Sequence, residues 1–144
     1  MQKVNQELKR FNYLNGEINA AYHEAARRLH LSDSGMMILY IICSSDGECL
    51  LSDMVRLSGL NKQTVNSALR KLEQAEIVFL KAFDGRKKLV CLTAKGKSLA
   101  ESTVARIIQF ENEIFLGWTV EERRLYIEMT QKYLDAFQDK IKAL

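Results

Sequence analysis

Two apolar seams at helical spacing, one at each end of the chain, constrain its fold most. Across residues 4–31, Val4, Leu8, Phe11, Ile18, Tyr22, Ala25 and Leu29 recur at steps of three, four or seven, close to a heptad. Thr93 opens a second long helical pattern through Leu99, Val104, Ile107, Phe110, Ile114 and Trp118, ending around Gly117. Thr119-Val120-Glu121-Glu122 then has the form of a capping box. It starts a last helix through Leu125, Met129, Tyr133, Phe137, Ile141 and Leu144. The chain contains no proline, so no rigid ring interrupts these patterns. Asn15-Gly16 is the one place where the first seam is expected to bend or start late, because glycine costs about 1 kcal/mol inside a helix. The stripes are longer than the short middle segment can cover. A single-chain bundle or a partner chain could bury them, and a symmetric homodimer built from residues 1–31 and 94–144 is the expectation.

Several classes of protein are excluded early. The longest apolar run, residues 36–43, falls far short of the roughly 18 residues that span a bilayer. The first residues lack the apolar core of a signal peptide, so a cytoplasmic protein with no membrane partner is expected. Cys43, Cys49 and Cys91 have no CxxC pairing and sit among apolar residues, which reads as small buried hydrophobes. His23 and His30, seven apart, are too few to close a metal site, and no cofactor is implied. Nucleophile elbow, phosphate-binding glycine loop and zinc-protease patterns are all missing, so no enzyme is expected.

The middle segment carries more information. Ser32 is placed to cap a helix that ends near Asp46-Gly47, and a short strand is expected over residues 48–51. Ser52 is expected to cap a brief helix over residues 53–57, stopping at Ser58-Gly59. Asn61 caps the next helix, residues 62–75, with Val65, Leu69 and Leu72 inward. These are helix–turn–helix proportions. Lys62, Gln63, Asn66, Ser67 and Arg70 then face outward or sideways, as residues for a nucleic-acid groove or as an ordinary solvated face. Two β-rich runs, residues 77–82 and 89–93, flank a basic tip around Asp84-Gly85, a strong hairpin signal. The net charge of +3 is modest, yet residues 52–93 alone carry an excess of +4. A basic hairpin beside a helix–turn–helix makes a winged helix, a more specific combination than either part. The fold class expected is mainly α (α+β): a winged helix-turn-helix over residues 32–93 between long N- and C-terminal dimerisation helices.

The order of elements resembles the MarR family of bacterial transcriptional regulators. The stretches that carry the resemblance are Leu29-His30-Leu31-Ser32, Leu51-Ser52-Asp53-Met54-Val55, Leu60-Asn61-Lys62-Gln63-Thr64-Val65 and Leu72-Glu73-Gln74-Ala75-Glu76-Ile77-Val78. The family's Asp-x-Arg wing is matched by Asp84-Gly85-Arg86, and its Leu-Thr-x-x-Gly by Leu92-Thr93-Ala94-Lys95-Gly96. The resemblance implies one MarR-like domain over residues 1–144. It further implies a dimer on a pseudo-palindromic double-stranded DNA operator, usually repressing. Lys62, Arg70, Lys71, Arg86, Lys87 and Lys88 are expected on phosphates, and Gln63, Thr64, Asn66 and Ser67 on bases. Two positions depart from the pattern: Ser67 stands where many members have arginine, and Glu76 where many have glycine.

Many members release DNA when a small, often aromatic, effector binds between the dimer helices and the winged helix. Tyr22, His23, Met37 and Tyr40 would line such a cleft here, or else serve as core and dimer contacts. The rival expectation is a winged-helix dimer that binds another protein without specific DNA recognition.

Overall fold

The computed structural model describes all residues, 1–144. Seven helices and three strands follow one another as α1 (Gln6–Arg28), α2 (Asp33–Ser44), β1 (Glu48–Leu50), α3 (Leu51–Ser58), α4 (Lys62–Gln74), β2 (Val78–Asp84), β3 (Lys87–Leu92), α5 (Ala94–Ser102), α6 (Val104–Gly117) and α7 (Val120–Ile141). The fold is mainly α with a small antiparallel sheet, a winged helix-turn-helix flanked by long helices. It falls into two compact units, Met1–Arg106 and Ile107–Leu144.

In the first unit, α1 begins where the Asn5 side chain accepts the Glu7 and Leu8 amides at 2.8 and 3.1 Å. It runs unbroken through Gly16, so the helix does not start late at that glycine. The Ser32 hydroxyl caps α2 as expected, accepting the Gly35 amide at 3.0 Å. From α2, the wholly buried Ile38, Leu39 and Ile42 enter a core shared with Met54 of α3, Val65 of α4 and Val90 of β3. The sheet has the order β1-β3-β2. Cys49, Val90 and Leu80 lie opposite one another across its three strands and face that core.

Three local readings of the sequence are corrected. Ser52 does not cap α3. Leu50 still pairs with Leu89 in the sheet, and the helix starts at the next residue, with Leu50 itself as an N-cap lacking any side-chain bond. The strands of the hairpin reach farther than expected, to Asp84 and from Lys87, leaving only Gly85 and Arg86 in the turn. One residue of β2, Phe83, is extra to the ladder between the pairs Ala82–Lys88 and Asp84–Lys87. The long helix expected after Thr93 is two helices, broken at Thr103. There the Ser102 and Thr103 hydroxyls both donate to the Leu99 carbonyl, at 3.0 and 2.6 Å, competing with the helical ladder.

α6 continues into the second unit. The capping box of α7 is complete: the Glu122 amide donates to the Thr119 hydroxyl at 3.1 Å, and the Thr119 amide to the Glu122 carboxylate at 2.8 Å. Arg123 closes the end of α6 by donating to the carbonyls of Phe115 and Trp118, at 3.0 and 2.5 Å. Phe115, Trp118 and Tyr126 pack as a ring cluster with centroids 5.0–6.0 Å apart.

Candidate nucleic-acid interface

The turn between α3 and α4 is fixed by its own side chains. The buried Ser58 hydroxyl donates to the Val55 carbonyl at 2.9 Å and accepts the Leu60 amide at 3.1 Å. Asn61 then caps α4, accepting the Thr64 amide at 2.8 Å. Val65, Ala68 and Leu69 of α4 are buried, and Leu72 is half-buried. This anchors one face of the helix and sets the opposite face outward. Lys62, Gln63, Thr64, Ser67, Arg70 and Lys71 are exposed, and Asn66 is half-buried.

The far end of α4 is held by the segment after the wing, which gives Leu92-Thr93-Ala94-Lys95-Gly96 a physical meaning. The Thr93 hydroxyl donates to the Glu76 carbonyl at 2.6 Å while accepting the Gly96 amide at 2.9 Å as the cap of α5. Lys95 Nζ donates to the Ala75 carbonyl at 2.8 Å, closing an unsatisfied group of the helix end. A Cβ on Gly96 would lie 2.0 Å from the Ile77 carbonyl oxygen, so only glycine allows α5 to rest on that backbone. None of these three holding roles was assigned from the sequence, although the motif containing them was.

Glu76 itself has φ 59, the left-handed conformation that glycine adopts without strain. The helix end is therefore the one a glycine would form. It closes with the Ile77 amide on the Leu72 carbonyl at 2.9 Å.

The wing places Arg86 in the two-residue turn, exposed, beside Gly85 at φ 53. Lys87 and Lys88 lie on β3 rather than at the tip, also exposed. Lys62, Arg70, Lys71, Arg86, Lys87 and Lys88 form no ion pair with any carboxylate. The other two cations of residues 52–93 do: Arg56 with Asp53 at 3.4 Å, and Lys81 with Glu48 at 3.5 Å. The excess positive charge is thus concentrated on the outer face of α4 and on the wing. An uncompensated cationic surface of this kind attracts phosphates and stays solvated without them.

Tyr22 and His23 lie on α1, Met37 and Tyr40 on α2. His23 Nδ1 is 2.8 Å from a carboxylate oxygen of Asp33, a partner the sequence did not indicate. Tyr40 packs against the core, while Tyr22 and Met37 are about two-fifths exposed. Cys43 is half-buried and Cys49 and Cys91 are buried, all three free. Burial pushes each thiol above its ordinary range, which disfavours the reactive thiolate. No group of three or more metal-ligating side chains occurs, and no helix is long and apolar enough to cross a membrane.

No family model matches the chain, and no curated protein matches it in sequence. The fold, by contrast, matches many solved structures. A MarR family regulator from Neisseria meningitidis superposes with a TM-score of 0.77 over 97% of this chain and 98% of its own, at 19% identity. A putative MarR family transcriptional regulator from Listeria monocytogenes, solved with a 26mer DNA, gives 0.71 over 97% and 92%, at 20% identity. NadR, solved with 4-hydroxyphenylacetate, gives 0.71 over 92% and 95%, at 15% identity. The fold is that of the MarR family of transcriptional regulators.

Proposed function

We propose that this chain is a sequence-specific double-stranded DNA-binding transcriptional regulator of MarR type, acting in the cytoplasm as a homodimer. The observation that carries the reading is the outer face of α4 and the wing, where six exposed cations lack any carboxylate partner. Lys62, Arg70, Lys71, Arg86, Lys87 and Lys88 hold the protein on phosphates, while Gln63, Thr64, Asn66 and Ser67 read base edges. A DNA complex of a structural neighbour supports the same use of the fold.

The homodimer covers the apolar faces of residues 1–31 and 94–144. Leu8, Phe11, Leu14 and Ile18 of α1 are exposed in the single chain, as are Leu125, Met129, Tyr133 and Phe137 of α7. Two such protomers present two copies of α4 to half-sites about one helical turn apart.

The regulator is a repressor released by a small aromatic effector, with Tyr22, His23, Met37 and Tyr40 contributing to its pocket. The 4-hydroxyphenylacetate complex of NadR supports that effector class. The deciding experiment is a titration of the protein on its own upstream DNA and on random duplex, at several salt concentrations. Upstream DNA is expected to bind at least about a thousandfold more tightly than random duplex at physiological salt. Equal affinities would overturn the reading.

A further inference from the structure

Within the exposed face of α4, side-chain chemistry changes along the helix. Lys62 stands at its first position and Arg70 and Lys71 stand two turns later. The intervening outward residues Gln63, Thr64, Asn66 and Ser67 carry only amides and hydroxyls. Gln63 and Asn66, three residues apart, lie on one side of the helix about 4.5 Å apart along its axis, at 1.5 Å per residue. That rise spans little more than one base step of a duplex. Neither amide is engaged in a hydrogen bond, and the Thr64 and Ser67 hydroxyls are equally unengaged. By contrast, the Asn61 side-chain oxygen and the Ser58 hydroxyl, which build the turn, are engaged by backbone groups.

The chemistry of those groups selects a base. An amide presents a donor and an acceptor side by side, which matches the N6 donor and N7 acceptor of adenine in the major groove. Guanine offers two acceptors at the same edge and calls for arginine or lysine. The segment 63–67 has neither. Its cations bracket the reading segment and so are positioned for phosphates on either side of it.

We propose that α4 reads a half-site centred on adenine·thymine pairs. Gln63 and Asn66 form bidentate contacts to two adenines on neighbouring base steps, and the Thr64 methyl packs on a thymine methyl. This rests on the DNA-binding reading above and specifies the sequence class that such a regulator takes.

The test is selection of bound duplexes from a random pool by the full chain, followed by anisotropy titrations on the selected site. Adenine·thymine half-sites are expected. Replacing one contacted adenine by 7-deazaadenine removes N7 alone and should weaken binding about 5- to 150-fold. In one of the variants Gln63→Ala and Asn66→Ala, the one that removes the amide facing that adenine, the same replacement should cost nothing further, whereas in the other it should cost what it costs in the parent. Gln63→Arg should shift the preference at one position from adenine to guanine.

Guanine-centred half-sites selected by the unaltered protein would overturn this inference while leaving a DNA-binding regulator intact. So would adenine-rich sites at which 7-deazaadenine costs as much in both alanine variants as in the parent. A selection that recovers no preferred duplex would overturn the function on which the inference rests.

Discussion

The outer face of α4 and the flanking helix α7 are both exposed, yet they present different chemistry. Along α7 part of the charge is paired locally: Arg124 pairs with Glu121 and with Glu128, and Lys142, just past the helix end, pairs with Asp139, while Lys132 and Lys140 form no ion pair. α1 shows the same habit, where Arg27 and Arg28 share Glu24 and hold its carboxyl down to about 2. What sets α7 apart is its exposed apolar set: none of its residues is buried, and Leu125, Met129, Tyr133 and Phe137 are all exposed. On α4 the apolar residues are satisfied by the core and the cations are left over. One surface lacks an apolar cover and the other lacks an anion, so the two are suited to different partners.

The comparison breaks most severely if the apolar face of α7 needs no cover. Phe137→Glu puts a charge into that face in each protomer. The proposed dimer is expected to weaken by about 4 kcal/mol, a thousandfold in its dissociation constant, read by sedimentation equilibrium. DNA affinity should fall with it, since half-site pairing is lost. An unchanged molecular mass would show that α7 is not an interface.

The second contrast is between holding α4 and equipping it. Gly96→Ala drives a Cβ into the Ile77 carbonyl and is expected to cost about 2–4 kcal/mol of stability, measured by urea unfolding. The proposed DNA binding is then expected to fall through the scaffold, without any change on the outward face. Arg86→Ala does the reverse. Stability should stay within about 0.5 kcal/mol, as for other surface changes. Binding should weaken and the slope of log affinity against log salt should fall by about one. An unaltered slope would remove the wing from the interface.

The parts of this design that were legible in the sequence are those in which one residue does one local job. Ser32, Asn61, Thr93 and Thr119 all cap the helices they precede, because a hydroxyl or amide before an apolar-periodic run has a single good use. Leu50, Thr103 and Ile77 were opaque for the complementary reason. The start of α3 at Leu51 is decided by the pairing of Leu50 with Leu89, thirty-nine residues away in sequence. The break at Thr103 comes from two hydroxyls competing for one carbonyl, with no glycine or proline to announce it. The need for Gly96 arises from the Ile77 backbone across the fold. At the candidate interface, residue types and outward positions on α4 were readable from periodicity. Which cations remain unpaired was not, since Arg56 and Lys81 differ from the others only in having a carboxylate nearby.

The smallest effect addresses whether the end of α4 is tuned for stability or for use. Glu76 occupies a left-handed conformation at φ 59, which costs a residue with a Cβ about 1–2 kcal/mol. Its backbone is committed on both sides. The Glu76 amide donates to the Glu73 carbonyl at 2.9 Å, and the Glu76 carbonyl accepts the Thr93 hydroxyl at 2.6 Å. The exposed carboxylate has no ion-pair partner. Glu76→Gly keeps every backbone bond and releases the strain, while the added freedom of the unfolded chain takes back roughly 0.5–1 kcal/mol. A net gain of about 0.5–1 kcal/mol is expected by urea unfolding. Removing one negative charge near the cationic face should also leave DNA binding equal or slightly tighter at low salt. A loss of stability would mean that the carboxylate, rather than the backbone, is what holds this corner, and the contrast between a satisfied scaffold and an unsatisfied reading face would have to be redrawn there.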